Sequence, residues 1–170
     1  MTVPAVQVRL ATPGDEAEVA ACMVAFRDLR GQDEPPDEAL SSGVRHMLDR
    51  GLGDFLLVGR PAHSYAQLRY LYSAWLGGDV CWVEDVYVGD EHRGLGVGRA
   101  LMRAVESRAR ELDCVQLQLD ANERNEIAVA LYESEGYSAT GATWDGGRYL
   151  FFRREIPPAD TTPLSEVPPT

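Results

Sequence analysis

The chain has 170 residues, a formal net charge of −11 and three cysteines. That length suits one domain with a sizeable core, and the acidity argues against nucleic acid or an anionic membrane as partner. The cysteine spacing fits no metal site or full disulfide framework. No signal-peptide pattern or membrane-length apolar run is present, so the expectation is a reduced, cytoplasmic protein. An acidic surface favours cationic small molecules; solubility alone accounts for it equally well.

The elements follow in order. Val6 to Leu10 alternates apolar and polar, a half-buried strand. Thr12-Pro13-Gly14-Asp15-Glu16 reads as a helix start. Val19, Met23, Phe26 and Arg30 then form an inward stripe flanked by Cys22 and Leu29. Gly31 to Glu38 is an acidic, proline-broken loop, and the next helix carries Leu40, Val44, Met47 and Leu48 on one face. Phe55 to Val58 and Tyr65 to Tyr72 read as strands of a meander, with a turn over Ser73 to Asp79. Val83 to Val88 is a further strand. A helix follows whose stripe is Val97, Ala100, Leu101, Ala104, Val105, Ala109 and Leu112, broken by Arg108. Cys114 to Asp120 is a strand, Asn125 to Glu135 a helix ended by Gly136. Ala139 to Trp144 and Arg148 to Arg153 pair as a hairpin around Asp145-Gly146-Gly147. Ile156 to Thr170 holds five prolines and reads as a disordered tail. The order β-α-α-β-β-β-α-β-α-β-β implies an α/β class with a mixed sheet covered by helices, over residues 1–155, with the tail at 156–170.

The most informative stretch joins the strand at Val83 to the helix after Gly98. Arg93, Gly94, Gly96 and Gly98 sit at its turn. A helix start offers free N–H groups and partial positive charge, and glycines let a phosphate approach closely. A plain tight turn is the competing reading. The spacing is neither the dinucleotide fingerprint nor a Walker loop.

At these residues the chain resembles the GNAT family of acyl-CoA-dependent N-acetyltransferases. Arg93-Gly94-Leu95-Gly96-Val97-Gly98 matches the family's Gln/Arg-x-x-Gly-x-Gly/Ala coenzyme signature. Asn125 to Tyr137 matches its second motif, Asn-x-x-Ala-x-x-Leu-Tyr-x-x-x-Gly-Phe/Tyr. The resemblance covers roughly residues 6 to 154 and implies the GNAT fold with acetyl-CoA as cosubstrate, no metal, and often a homodimer. The apolar run Tyr149 to Phe152 is a candidate interface strand or an ordinary core strand. By the resemblance, Gly94, Leu95, Gly96, Val97, Gly98 and Arg99 take the pyrophosphate at the helix start. The backbone of Val86, Tyr87 and Val88 pairs with the pantetheine arm, and Asn125, Ala128 and Tyr132 contact the coenzyme. The N–H of Val86 is the expected oxyanion donor.

Acetyl transfer also needs a base to neutralise the amine and an acid for the leaving thiolate. Tyr132 is the candidate acid: with Asn125 and Ala128 it shares one helix face, and Ile127, Ala130, Leu131 and Ser134 define the core side. Glu84 is the candidate base, because strand alternation puts it on the face of Val86. Asp85 points the other way in a regular strand and inward if a bulge intervenes. Both acids remain open to a purely structural role. His46, His63 and His92 are scattered and show no zinc-ligand spacing.

Tyr70 to Gly77, Glu84 to Val88 and Arg93-Gly94 are similar to the diamine and thialysine N-acetyltransferases of the family. That likeness implies acceptor contacts from Trp75, Glu84, Asp85 and Asp145, although Ser73 and Gly147 depart from the pattern. The acids Asp33, Glu34, Asp37 and Glu38 could also attract an amine, or be a solvated loop. The expected function is acetyl-CoA-dependent N-acetylation of a small, cationic primary amine. The alternatives are aminoglycoside or protein and peptide N-acetylation, and a catalytically silent acyl-CoA sensor or interaction module.

Overall fold

A computed structural model describes residues 6–139, 143–144 and 147–148. The elements are β1 (Val8–Leu10), α1 (Glu16–Leu29), α2 (Asp37–Arg50), β2 (Asp54–Gly59), β3 (Ala62–Ser73), β4 (Gly78–Val88), α3 (Val97–Glu111), β5 (Gln116–Leu119) and α4 (Glu126–Ser134). The short strands β6 (Thr143–Trp144) and β7 (Gly147–Arg148) follow. The order is the one the sequence implies. β3 and β4 run longer than expected because their hairpin extends beyond both neighbouring strands.

β1 to β5 form one sheet in chain order, antiparallel from β1 to β4 and parallel between β4 and β5. Strand alternation divides the sheet into two apolar faces. On one, α3 packs Val97, Leu101, Val105 and Ala109 against Leu56, Val58, Ala66, Leu68, Cys81 and Val83. On the other, Val19, Ala20 and Cys22 of α1 and Val44 of α2 cover Phe55, Leu57 and Tyr65. Arg108 breaks the α3 stripe for a reason: its Nε donates to Asp54 Oδ2 at 2.6 Å, and the Tyr70 hydroxyl donates to the same oxygen at 2.7 Å. Two expected stripe members fall outside the core. Arg30 is exposed, with its guanidinium 5.6 Å from the Phe26 ring, and Leu29 is also exposed.

α1 begins from a tight polar turn. Asp15 accepts from the Thr12 backbone N–H at 2.8 Å and from its hydroxyl at 2.9 Å. Those bonds, with Arg9 nearby, hold the Asp15 carboxyl below its ordinary range against the opposing effect of burial.

The chain divides into two units, Met1–Ser138 and Ala139–Thr170. In the second, Trp144 pairs with Gly147 and Thr143 with Arg148. Asp145, the run Tyr149 to Phe152 and the tail 156–170 lie outside the described residues. Among the described residues no helix is long and apolar enough to cross a membrane, and Cys22, Cys81 and Cys114 are free thiols.

Leu101 is fully buried between α3 and the sheet. Leu101→Ala is expected to lower unfolding free energy by about 3 kcal/mol, read from the shift in urea midpoint.

Candidate active site

The site is set by where β4 leaves β5. The parallel pairing runs from Val80↔Gln116 to Val83↔Leu119 and stops. From Glu84 to Val88, β4 is paired with β3 on one edge and with no strand on the other among the described residues. The unpaired edge is open to an extended ligand.

At the same point the β3–β4 register shifts. Gln67 opposes Asp85 and Leu68 opposes Val83, so Glu84 is an extra residue, a β-bulge. The bulge corrects the alternation argument made from sequence. Val86 and Val88 pack on the α3 side, whereas Tyr87 packs on the α1 side. Glu84 is therefore not on the face of Val86. Its Oε2 accepts at 3.0 Å from Gln67, whose amide also reaches Met47 of α2. Asp85 Oδ2 accepts at 3.4 Å from the hydroxyl of Tyr65, which packs against Phe26 of α1. Both carboxylates thus face the helices α1 and α2. Burial pushes the Asp85 carboxyl above its ordinary range, and the neighbouring Glu84 charge adds to the effect.

Beyond β4 the chain makes a 3-10 turn over Asp90–His92 and then the glycine loop. Gly94 and Gly96 have φ of +73° and +81°, the left-handed region that favours glycine. Gly98 serves differently. A Cβ there would stand 3.0 Å from Leu131 Cδ2, so its bareness lets α4 lie close on α3. Val97 is buried in the core, which leaves only its backbone for a ligand, while Leu95 is exposed. Arg93 folds back, donating to the Val88 carbonyl at 3.1 Å and pairing with Asp90 at 2.8 Å. Arg99 pairs with Glu135 at 2.9 Å, tying α3 to the end of α4. The α3 start has no side-chain cap and no acid in its first turn, whereas α1, α2 and α4 each carry first-turn acids. Its free N–H groups and positive dipole end are left for an anion.

α4 is positioned by Asn125, whose side chain accepts from Ala128 N at 3.2 Å and caps the helix. The packed face of α4 is not the one the sequence suggested. Ile127 is 84% exposed, and Ala130 and Ser134 are also exposed. Ala128, Val129, Leu131, Tyr132 and Glu135 are the half-buried positions. A short helix lying across an edge buries a flank that periodicity alone leaves ambiguous. Tyr132 lies 6.1 Å from Tyr137, ring to ring. Burial raises its phenol pKa, and the charges of Asp120 and Asp85 add to that.

Asp120, at the end of β5, is the acid the sequence reading missed. It acts on both Asp85 and Tyr132. Its signal was available: it ends a strand parallel to β4, where ligands bind in open α/β sheets. Tyr65 and Gln67 were also missed, buried polar residues on β3 that hold the two carboxylates. Trp75 is not brought to this group. It is 100% exposed at the tip of the β3–β4 hairpin, roughly 20 Å along β4 from Glu84 at ~3.3 Å per residue. Asp33, Glu34, Asp37 and Glu38 are exposed, and Asp37 pairs with Arg27 at 2.7 Å. His63 and His92, far apart in sequence, are stacked with centroids 3.4 Å apart. Among the described residues no three His, Cys, Asp or Glu side chains form a metal-binding group.

The model of the acetyltransferase (GNAT) family matches residues 59–137. A thialysine N-epsilon-acetyltransferase of Caenorhabditis elegans is 32% identical over 127 residues, 72% of this chain and 78% of that protein. The Sus scrofa protein of that name is 35% identical over 73 residues, 43% of this chain and only 42% of its own length. An aminoglycoside N(6')-acetyltransferase type 1 of Stenotrophomonas maltophilia is 27% identical over 165 residues, 94% of this chain and 99% of that protein. Among solved structures, one from Arthrobacter sp. FB24 assigned as an acetyltransferase superposes with a TM-score of 0.77 at 27% identity, covering 92% of this chain and 99% of that one. An aminoglycoside N-acetyltransferase in complex with CoA has the same fold, with a TM-score of 0.70 at 18% identity, covering 91% of this chain and 100% of that one. The chain belongs to the GNAT acetyltransferase family.

The contact at Gly98 gives a direct test of how α4 is seated. Gly98→Val is expected to destabilise the protein by about 1–3 kcal/mol through overpacking against Leu131. Arg99→Ala, which leaves Glu135 still paired with Arg103, is expected to cost under about 1 kcal/mol. Urea unfolding of the two variants side by side checks the difference.

Proposed function

We propose that the protein is an acetyl-CoA-dependent N-acetyltransferase acting on a small, cationic primary amine. The observation that carries the reading is that β4 parts from β5 just before Asp85, whose ionisation is opposed by the Glu84 and Asp120 charges and whose charge bears on Tyr132, while the α3 start that follows β4 has no side-chain cap. In this reading the α3 start and the backbone of Gly94 to Arg99 hold the pyrophosphate. The free edge of Val86 to Val88 pairs with the pantetheine arm, and the Val86 N–H receives charge on the thioester oxygen. The bound cosubstrate supplies an activated acetyl thioester.

Asp85 takes the proton from the incoming ammonium. Its half-buried carboxyl suits that task better than an ordinary one, because a raised pKa makes it a stronger base. Glu84 and Asp120 hold the cationic acceptor and any second positive charge. The amine attacks the thioester carbonyl and the C–S bond breaks; Tyr132 gives its phenol proton to the departing thiolate, and the surplus proton shed by the acylated nitrogen returns to the phenolate. The raised pKa of Tyr132 keeps the phenol protonated through neutral pH. Asn125 and Ala128 serve as the helix start that brings Tyr132 to the site.

A cationic acceptor is favoured over a neutral one because the Glu84 and Asp120 charges both bear on Asp85, with Arg30 offsetting them in part, and the chain carries −11 overall. The names of the nematode and Stenotrophomonas relatives point to thialysine-like and aminoglycoside acceptors, both amines. Trp75 enters acceptor binding in this reading only from a second copy of the chain, since its own acids lie too far along the strand. Asp145 is retained as a candidate acceptor contact, and a cytoplasmic homodimer is the expected state.

Free-thiol release from acetyl-CoA against diamines, thialysine, aminoglycosides and lysine peptides tests the activity. Tyr132→Phe is expected to lower kcat about 100-fold with little change in the KM of either substrate. Asp85→Asn is expected to remove the acid limb of the kcat/KM profile. That limb lies above the usual carboxylate range in the wild type, because activity needs the ionised form and burial raises its pKa. Tight acetyl-CoA binding with no turnover on any amine would favour the silent sensor instead.

A further inference from the structure

The stacked pair of His63 and His92 plays no part in the chemistry above, yet it sits where β3 begins and the glycine loop departs. The rings are 3.4 Å apart and within 8° of parallel. The His63 ring also lies against Gly59, where any Cβ would collide with it. An open cleft of about 350 Å³, lined in part by Cys22, Ala25, Tyr87 and His92, gives solvent access to the pair.

Both histidines are joined to Gly89, the residue between β4 and the loop. The Gly89 N–H donates to the His63 carbonyl at 3.1 Å and to Ser64 Oγ at 3.3 Å. A Cβ on Gly89 would stand 2.7 Å from the His63 oxygen and 3.6 Å from His92 Nδ1, so the contact is closed to any side chain. Ser64 is fully buried, and its Oγ lies 2.9 Å from His63 Nδ1. Among the described contacts Nδ1 is the acceptor within reach of the buried Ser64 hydroxyl hydrogen. The network therefore calls for a neutral His63 with its proton on Nε2. Protonation at Nδ1 takes that acceptor away, leaves the buried hydroxyl hydrogen unpaired and puts a charge against the His92 ring.

We propose that His63 is a positioning residue whose neutral form holds the loop from Gly89 to Gly96 in register for the coenzyme, so that coenzyme affinity falls as the imidazole is protonated. The inference rests on the reading of Arg93 to Gly98 as the pyrophosphate loop.

The groups facing the pair leave this sign intact. From α1, Glu18 is already engaged by Arg9 and the Ala62 N–H, each at 2.8 Å. The Cys22 thiol donates to the Ala62 carbonyl and is pushed up to about 11 by burial, so it stays neutral. From β4, burial raises the Tyr87 phenol. From the 3-10 turn, Asp90 is paired with Arg93, and Glu91 is exposed; Arg60, beside Gly59, is exposed too. Burial first, and the His92 charge second, hold His63 below the ordinary 6.5 against the opposing effect of a bond from the ring to its own backbone. A depressed folded pKa means the anchoring is complete above that ordinary value and is lost as pH falls through the folded one.

The test is the KM of acetyl-CoA and the calorimetric Kd of CoA, from about pH 5 to pH 8. In the wild type both are expected to rise towards acid, approaching tenfold per pH unit below the inflection. His63→Asn keeps an acceptor near the Nδ1 position without the titration, and its profile is expected to be flat. His92→Phe keeps a flat ring on His63 and is expected to retain an inflection. A wild-type profile in His63→Asn, or a flat one in His92→Phe, overturns the assignment to His63. A second measurement needs no variant. By linkage, CoA must lower the His63 pKa seen in the ring-proton NMR titration, and an unmoved midpoint overturns the proposal. Absence of CoA binding by the wild type at pH 8 overturns the pyrophosphate-loop reading, and this inference with it.

Discussion

The parting of β4 from β5 after Val83↔Leu119 is the constraint on which the rest depends. β5 is four residues long and ends at Leu119, while β4 runs on to Val88. The bulge at Glu84 falls at the same place, and an extra residue bends a strand and sharpens its twist. Length and bulge together open one edge of β4 while β3 keeps the other paired. Hydrogen-bonding groups on an open edge need a partner or water. The open edge runs on into the turn before the glycine loop, and Asp120, just past β5, bears on both Asp85 and Tyr132 of α4.

The electrostatics are divided about the same strand. The acids Glu84 and Asp85 face α1 and α2. The start of α3 carries no acid in its first turn, in a chain with 27 acidic residues. The proposed reaction would bring its anionic cosubstrate and its cationic acceptor in by separate approaches, each attracted by local charge. The carboxylates are held firmly. Gln67 and Tyr65 are buried on β3, and each spends a polar group on one of the two carboxylates.

The element order and the glycine loop were legible in the sequence because each rests on local signals. Periodicity marks α3, and Arg93 to Gly98 is contiguous. The roles of the three glycines were only partly legible: Gly94 and Gly96 are conformational, whereas Gly98 answers to Leu131 in a different helix. The bulge was not legible, since no local residue type demands it, and it reverses the alternation from which the face of Glu84 was judged. The packed side of α4 was misread for a related reason. Asn125, Ala128 and Tyr132 share a helical face, but which face is covered depends on where α3 lies. Asp120, Tyr65 and Gln67 are isolated polar residues in apolar strands, and only the three-dimensional neighbourhood gives them meaning. The histidines make the same point, as no spacing rule links residues 63 and 92.

Environment, not residue type, separates the two adjacent carboxylates. Glu84 sits on the bulge, exposed, against Gln67 and Arg69. Asp85 is half-buried beneath Tyr65, with the Glu84 and Asp120 charges close enough to oppose its own ionisation. In the proposed reaction the two acids take different tasks. The one that ionises reluctantly is the better proton acceptor, and the one in contact with solvent is the better counterion for an arriving ammonium. Binding that ammonium relieves the repulsion on Asp85 and favours its ionised form. The bulge that turns both side chains to one face is what permits this division, because in a regular strand one of the two would lie among the apolar residues beneath α3.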